Sequence, residues 1–278
     1  MIEVDVRWGD EVSEKQFKSP GRELVVIVDT LRATSTIPVA LSCGASSVTV
    51  LSDLTRSLKL KASHPHAILA GERSGVKICD FDVGNSPFKI KTLLTGGGKS
   101  VSEVILNTSN FSRVLEEVSG LTNQPVIAAS LVNSTRISKF ILDNEGMLDG
   151  LFFVPVGTYL MGGRELERPK RFCEDCLAAF HVIEKLTDGG CDLDFIGGAK
   201  NCMAESKYKG SLSDDLAVVD YLWGTEYVTY LLELDSSSGV DDNRRDIEVC
   251  FSVDSHPTVP LLFRNKSILS FKESPDTL

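Results

Sequence analysis

The sequence predicts a layered α/β fold built on a largely parallel sheet, and two observations carry that prediction. Short β-branched runs alternate with helical stretches along the first half of the chain, the order that joins parallel strands through crossover helices. The run Glu23–Asp29, ELVVIVD, lacks polar alternation, as a central strand covered on both faces should.

Taken in order, the segment Met1–Lys15 is acidic and alternating, which reads as an edge strand rather than a signal peptide. After the strand Glu23–Asp29 a helix is signalled over Thr34–Leu41, with Pro38 in its first turn or at a kink. Ser46–Leu51, Ala67–Ala70, Val101–Asn107 and Pro125–Leu131 read as further strands, with Leu54–Ala62, Phe111–Val118 and Ser134–Leu142 as intervening helices. Leu151–Val156 has the pattern of another buried strand, followed by helices over Cys173–Leu186 and Asp214–Leu232. Leu234–Asn243 is polar, turn-rich and expected to be mobile. Val259–Phe263 and Ser267–Leu269 suggest a terminal β-hairpin. With no internal repeat and no long linker, the 278 residues are expected to form a single domain over residues 1–278.

A hydrophobic content of 42% with 24% charged residues suits a globular enzyme. The net charge of −10 leaves no basic surplus to neutralise nucleic-acid phosphates, though a few inward arginines can still make a local anion pocket. No apolar run approaches the roughly 18 residues of a membrane span. The seven cysteines are odd in number and scattered, which predicts reduced thiols and a cytoplasmic location. Cys173 and Cys176 form a lone C-x-x-C without the second pair of a zinc site and read as small residues on one helix face.

The chemistry-bearing residues fall at successive strand ends, where ligands gather in open α/β sheets. Asp29 ends its strand with Arg32 in the following turn, and Thr34, Ser35 and Thr36 can cap the next helix. The stretches LAGERSG (residues 69–75) and FDVGNSP (81–87) add Glu72, Arg73, Asp82, Asn85 and Ser86 in glycine-bearing loops. Arginine forks suit phosphate and carboxylates suit a hard cation. One and two β-α units later, Thr108, Asn110 and Arg113, then Ser130 and Asn133, repeat the arrangement. Capping explains each polar residue singly, but not the recurrence of acid and arginine. Glu174 and Asp175 open a helix, as dipole partners or metal ligands. The stretch TGGGKS (95–100) is not a P-loop, because Leu93 stands where its first glycine belongs. No G-x-S-x-G occurs and the four histidines offer no catalytic pair, which argues against a serine hydrolase.

Taken together, VIVDTLRATST, LAGERSG, FDVGNSP, NTSNFSR, SLVNS, FCEDC and the late Asp246-x-x-x-Cys250-x-x-x-Asp254 resemble the successive motifs of the 2-phosphosulfolactate phosphatase family. The resemblance implies a three-layer α/β/α fold with a mixed, largely parallel sheet, and an enzyme that releases phosphate from 2-phosphosulfolactate in coenzyme M biosynthesis. It implies Mg2+ as cofactor and a small anionic phosphoester as substrate, with no nucleic-acid or membrane partner, and it leaves room for a homo-oligomer. Carried onto this chain, it assigns catalysis to Asp29, Arg32, Glu72 and Arg73, substrate binding to Asn85, Ser86, Thr108, Asn110, Arg113, Ser130 and Asn133, and metal binding to Asp29, Asp82, Glu174 and Asp175. Asp29 could ligate the metal or attack phosphorus. The chain departs from the family pattern at Phe111, where a glycine is usual, at Phe180, and at Ser236-Ser237-Ser238-Gly239, which lacks a histidine. Those changes leave a related 2-phospho-carboxylate as substrate, or a divergent non-catalytic binder of an anionic metabolite, as the alternatives.

Overall fold

The computed structural model describes residues 1–278 apart from 18–21, 97–102, 200–201, 203–206, 239–241, 266–267 and 277. Its strands are β1 (Ile2–Val6), β2 (Glu23–Val28), β3 (Ser47–Val50), β4 (Ile68–Arg73), β5 (Val76–Lys77), β6 (Glu103–Asn107), β7 (Val126–Ala129), β8 (Gly150–Pro155), β9 (Thr158–Met161), β10 (Arg164–Lys170), β11 (Leu193–Phe195), β12 (Pro260–Asn265) and β13 (Ile268–Glu273). The helices among the described residues are α1 (Ala33–Ser42), α2 (Leu54–Ser63), α3 (Pro87–Thr95), α4 (Phe111–Leu121), α5 (Ser134–Asp143), α6 (Cys173–Asp188), α7 (Asp215–Trp223), α8 (Glu226–Ser238) and α9 (Asp242–Cys250). The architecture is the three-layer α/β arrangement, with one mixed sheet in the order β11-β1-β8-β2-β7-β12-β13-β3-β6-β4-β5 and a separate β9–β10 hairpin.

The burial of β2 explains its unbroken apolar pattern. Leu24, Val26 and Val28 enter the core under α5 and α6, whereas Val25 and Ile27 enter the opposite core with α1 and α4. Successive strand residues point to opposite faces, so a strand with a core on each side must be apolar throughout. Helix α4 shows the complementary logic. Phe111, Val114, Leu115 and Val118 are buried at one helical face, at the i, i+3, i+4 and i+7 spacing of an amphipathic stripe.

The sheet contains two parallel blocks. Strands β11, β1, β8, β2 and β7 run parallel, as do β3, β6 and β4, and the antiparallel hairpin β12–β13 joins the blocks through β7 and β3. The blocks therefore run in opposite senses along the ladder. Adjacent strands rotate by about 20–25°, so the six steps from β2 to β4 accumulate on the order of 120–150°. That twist turns the carboxyl ends of the two blocks toward each other, and residues of both share one core.

Several expectations are corrected. Strand β1 is not an edge: β11 and β8 flank it, and its buried Asp5 accepts hydrogen bonds from the Gly198 N–H at 2.8 Å and from Arg7 Nε at 3.1 Å. The segment expected as one helix over Asp214–Leu232 breaks at Gly224, which caps α7, and α8 then runs on through Ser238, where a loop was expected. Residues 239–241 of that stretch, with Gly239 of the Ser236–Gly239 departure, lie outside the described residues. Pro38 lies inside α1, beyond its first turn. The Gly157–Arg164 segment, whose glycines read as a loop in the sequence, is mostly the hairpin β9–β10. The expected terminal hairpin is present as β12–β13 and sits in mid-sheet. Phe111 faces away from any ligand space. Its ring is fully buried and lies 6.1 Å from that of Phe271, and Phe180 is likewise in the core.

Phe111→Ala should therefore destabilise the protein by about 3–5 kcal/mol in urea unfolding, leaving the KM of the folded fraction unchanged. A loss under about 1 kcal/mol with an altered KM would place Phe111 at the ligand instead.

Candidate active site

Strand register sets the site. Val28 pairs with Ala129 on one side and Pro155 on the other, so Asp29, Ser130 and Val156 leave the sheet at one level. In the second block Gly71 pairs with Asn107, which puts Glu72 level with Thr108. A Cβ at Gly71 would lie 2.3 Å from the Asn107 carbonyl, so only glycine lets β4 approach β6 this closely beside Glu72.

Four buried acids lie near enough where the blocks face one another for their charges to act on each other. Asp29 accepts the Ala33 N–H at 3.3 Å, and its own N–H donates to Thr34 Oγ1 at 2.8 Å. Its second carboxylate oxygen has no hydrogen-bond partner among the described residues. Asp175, in the first turn of α6, accepts the Thr30 N–H at 2.8 Å and the Gly157 N–H at 3.2 Å. Gly157 has φ +73°, the left-handed turn that aims this N–H inward. Glu174 is buried beside it, with Oε2 lacking any hydrogen bond. Glu72 is held most firmly, accepting the Ser109 N–H at 2.7 Å, the Gly75 N–H at 2.8 Å and Ser109 Oγ at 3.1 Å.

The electrostatics follow from burial without compensating charge. Burial, then the carboxylate of Asp175, pushes the Asp29 carboxyl well above the usual range, and Glu72 adds to the shift. Burial likewise raises Glu174 to about 8, with Asp29 as a further cause, and raises Asp175 to about 8, with Glu174 as the next cause. The obvious counter-charge is engaged elsewhere. Arg32 is buried and donates from one terminal nitrogen to Asp246 Oδ2 at 2.8 Å and Asn243 Oδ1 at 2.6 Å, and from the other to the Gly75 carbonyl at 3.0 Å. Asp246 also accepts Ser86 Oγ at 2.6 Å and the Phe88 N–H at 3.2 Å. Burial still holds the Asp246 carboxyl above its ordinary value, against the pull of Arg32.

Arg73 is half-buried and donates to the Glu72 carbonyl at 2.8 Å. It makes no ion pair among the described residues, so its remaining donors can meet an anion. Ser130 contributes a buried hydroxyl without a hydrogen bond. A cleft of about 290 Å³ opens beside the start of α6, lined by Arg171, Phe172, Cys173, Glu174, Thr225 and Glu226 among others, and reaches Glu174 from outside.

Other expected site residues are placed differently. Asp82 is exposed and separated from the acids: it accepts Lys61 Nζ and the Leu69 N–H, both at 2.8 Å, near the start of β4. Its charge is paired, and Lys61 helps lower its carboxyl against the opposing effect of burial. Arg113 is a surface residue, bridged to Glu117 and Glu165 at 3.1 Å each and stacked on Tyr159. Its position on the solvent side of α4 forms no anion pocket with Arg32 and Arg73. Thr108 exchanges capping bonds with Ser112, and Asn110 clamps the Tyr159 and Leu160 N–H groups. Asn133 directs both amide hydrogens to the carbonyls of Ala128 and Thr258. Asn85 accepts from Thr36 Oγ1, and Ser86 caps α3. These residues brace the loops around the acids. Sequence reasoning missed Asp246 as the Arg32 partner, although the late motif contained it.

Among the described residues no three His, Cys, Asp or Glu side chains stand close enough to form a ready metal site. The chemistry of the donor set nevertheless suits a hard cation: buried carboxylate oxygens, one without any partner, and no free cation between them.

The raised acids fix a pH dependence. Relative to ordinary values of 4.5 for Glu174 and 3.8 for Asp175, the fold binds extra protons between those values and about 8. Their contribution is fully present below about pH 4 and is lost as pH rises through about 8. Thermal melting of metal-free protein should show Tm falling over that window, and Glu174→Gln should flatten the fall. A Tm that rises across it would contradict the buried cluster.

The description 2-phosphosulpholactate phosphatase belongs to the family model that matches residues 10–265. A probable 2-phosphosulfolactate phosphatase of Nostoc punctiforme is 38% identical over 125 residues, 44% of this chain and 48% of the relative. The alignment thus spans about half the length of that relative, and it spans 54% of the Carboxydothermus hydrogenoformans one. Longer matches join the chain to the probable 2-phosphosulfolactate phosphatase of Thermotoga petrophila, 30% identical over 90% of this chain and 92% of the relative. No described helix is long and apolar enough to cross a membrane. From the family-model match over 10–265 and these relatives, the chain belongs to the 2-phosphosulfolactate phosphatase family.

Proposed function

We propose that the chain is a magnesium-dependent phosphatase that converts 2-phosphosulfolactate, or a similar 2-phospho-carboxylate, to the hydroxy acid and inorganic phosphate. The observation that carries this reading is the convergence of buried Asp29, Glu174, Asp175 and Glu72, with Arg73, next to Glu72 in the chain, free of an acid partner among the described residues. Like-charged buried acids are costly unless a cation or protons offset them, and a bound cation can stabilise the charge of phosphoryl oxygens.

Asp29, Glu174 and Asp175 would hold Mg2+. Bound there, the ion would supply positive charge to the phosphoryl oxygens. Arg73 presents its open donors to the anionic groups, and a planar fork matches phosphate, sulfonate or carboxylate oxygens in pairs. Ser130 Oγ, level with Asp29, offers one more hydrogen bond. Glu72 fixes the Ser74–Gly75 turn, and the Arg32–Asp246 pair anchors that turn to α9 through the Gly75 carbonyl. Glu174 Oε2, without a hydrogen bond, is the oxygen left open to such an ion.

Asp29→Asn should abolish Mg2+-dependent phosphate release while leaving Tm at or above that of the wild type, because Val25–Val28 supply the packing and the amide keeps the shape. Full turnover in the folded variant would refute the assignment. Arg73→Lys keeps the charge and loses the fork, so kcat/KM should fall about tenfold or more with unchanged melting. Wild-type kinetics there would remove Arg73 from substrate binding. A wild type inactive on phosphorylated hydroxy acids would favour a non-catalytic anion binder.

A further inference from the structure

Helix α8 lies across the acid cluster, and two of its tyrosines are seated differently. Tyr230 is satisfied: its hydroxyl donates to the Ser74 carbonyl at 3.0 Å and accepts the Gly162 N–H at 3.2 Å. Tyr227, one turn earlier on the same face, is 8% exposed, yet its hydroxyl has no hydrogen-bond partner among the described residues. Its ring is fixed from both sides, stacked on Phe172 at 4.6 Å and 23° and on Tyr230 at 5.9 Å and 19°.

Those two neighbours locate the hydroxyl. Phe172 immediately precedes Cys173-Glu174-Asp175, and the Ser74 carbonyl held by Tyr230 lies between Glu72 and Gly75. The Tyr227 ring therefore spans the gap between the two acid-bearing segments, and the charges that act on its phenol are those of Glu72, Asp29, Arg32 and Glu174. That hydroxyl keeps an open hydrogen-bonding position, which a ligand in the cluster would fill.

We propose that Tyr227 is a further catalytic residue, whose phenolic O–H donates a hydrogen bond to a phosphoryl oxygen of the substrate held beside Asp29, Glu174 and Arg73. The inference rests on the phosphatase reading for its substrate. No proton is transferred: a neutral phenol adds a donor among carboxylates without adding negative charge. Burial and the surrounding acids keep it protonated. The stacked ring holds the donor in place before substrate arrives, which lowers the entropic cost of the contact.

The test compares wild type with Tyr227→Phe, which keeps both ring stacks and removes only the hydroxyl. Three quantities are measured: kcat/KM on 2-phosphosulfolactate, the Kd of inorganic phosphate by calorimetry with Mg2+ present, and Tm. The expected result is a roughly tenfold to hundredfold loss in kcat/KM, the range of one hydrogen bond to a charged group, with phosphate binding weakened in the same direction and Tm unchanged. Equal kcat/KM and equal Kd in the folded variant overturn the inference. So does a loss that comes with a clearly lowered Tm, since that assigns the hydroxyl to packing. A wild type that binds phosphate without turning over the ester removes the phosphatase reading alone, and the Kd ratio then decides on Tyr227. A wild type that does neither overturns both.

Discussion

The structure depends on carboxylates held together out of water without a free cation among them. Such a cluster disfavours the charged form, and the fold tolerates it by tethering the acids through backbone donors. Asp175 takes the Thr30 and Gly157 N–H groups, and Glu72 takes those of Gly75 and Ser109. The first pair ties the ends of β2 and β8 and the second those of β4 and β6, each within its own block, while the Arg32 bond to the Gly75 carbonyl links the two. Glu174 Oε2 has no hydrogen bond, and among the described residues Asp29 accepts at one oxygen only, which leaves the cluster tethered but not saturated.

The arginines divide the labour. Arg32, the nearest buried cation, is drawn away by Asp246 and Asn243, 214 and 211 residues later in the chain. This pair anchors α9 beside α1 and, through the Gly75 carbonyl, the turn after Glu72. Removing one partner of a buried pair strands the other charge, so Arg32 acts first as a structural tie. Arg73 has no such partner among the described residues, which leaves it to the proposed anion-binding role.

Much of this arrangement was legible in the sequence because it is local. The strand Glu23–Val28 announces burial on both faces, and Asp29, Glu72 and Glu174-Asp175 stand out as acids at element ends. The ordered motifs pointed to the family, and the matched residues 10–265 bear that out. What was not legible depends on partners far apart in sequence. Nothing near Arg113 predicts Glu165 across the surface, nor does anything near Asp82 predict Lys61 as its partner. The insertion of β12–β13 between β7 and β3 is a matter of topology, and the periodicity of the hairpin is the same at an edge or in mid-sheet. Tyr227 was hidden because an aromatic at helical spacing reads as core, and only its stack on Phe172 and its unpartnered hydroxyl set it apart.

The central claim is that Asp29, Glu174 and Asp175 form a cation site which carries protons when the cation is absent. The direct measurement is calorimetric titration of Mg2+ into metal-free protein at pH 7, repeated in buffers of different ionisation enthalpy. Displacement of protons from acids raised to about 8 predicts binding with release of protons, and a smaller release in Glu174→Gln. Absence of Mg2+ binding, or binding with no proton released, would contradict the account.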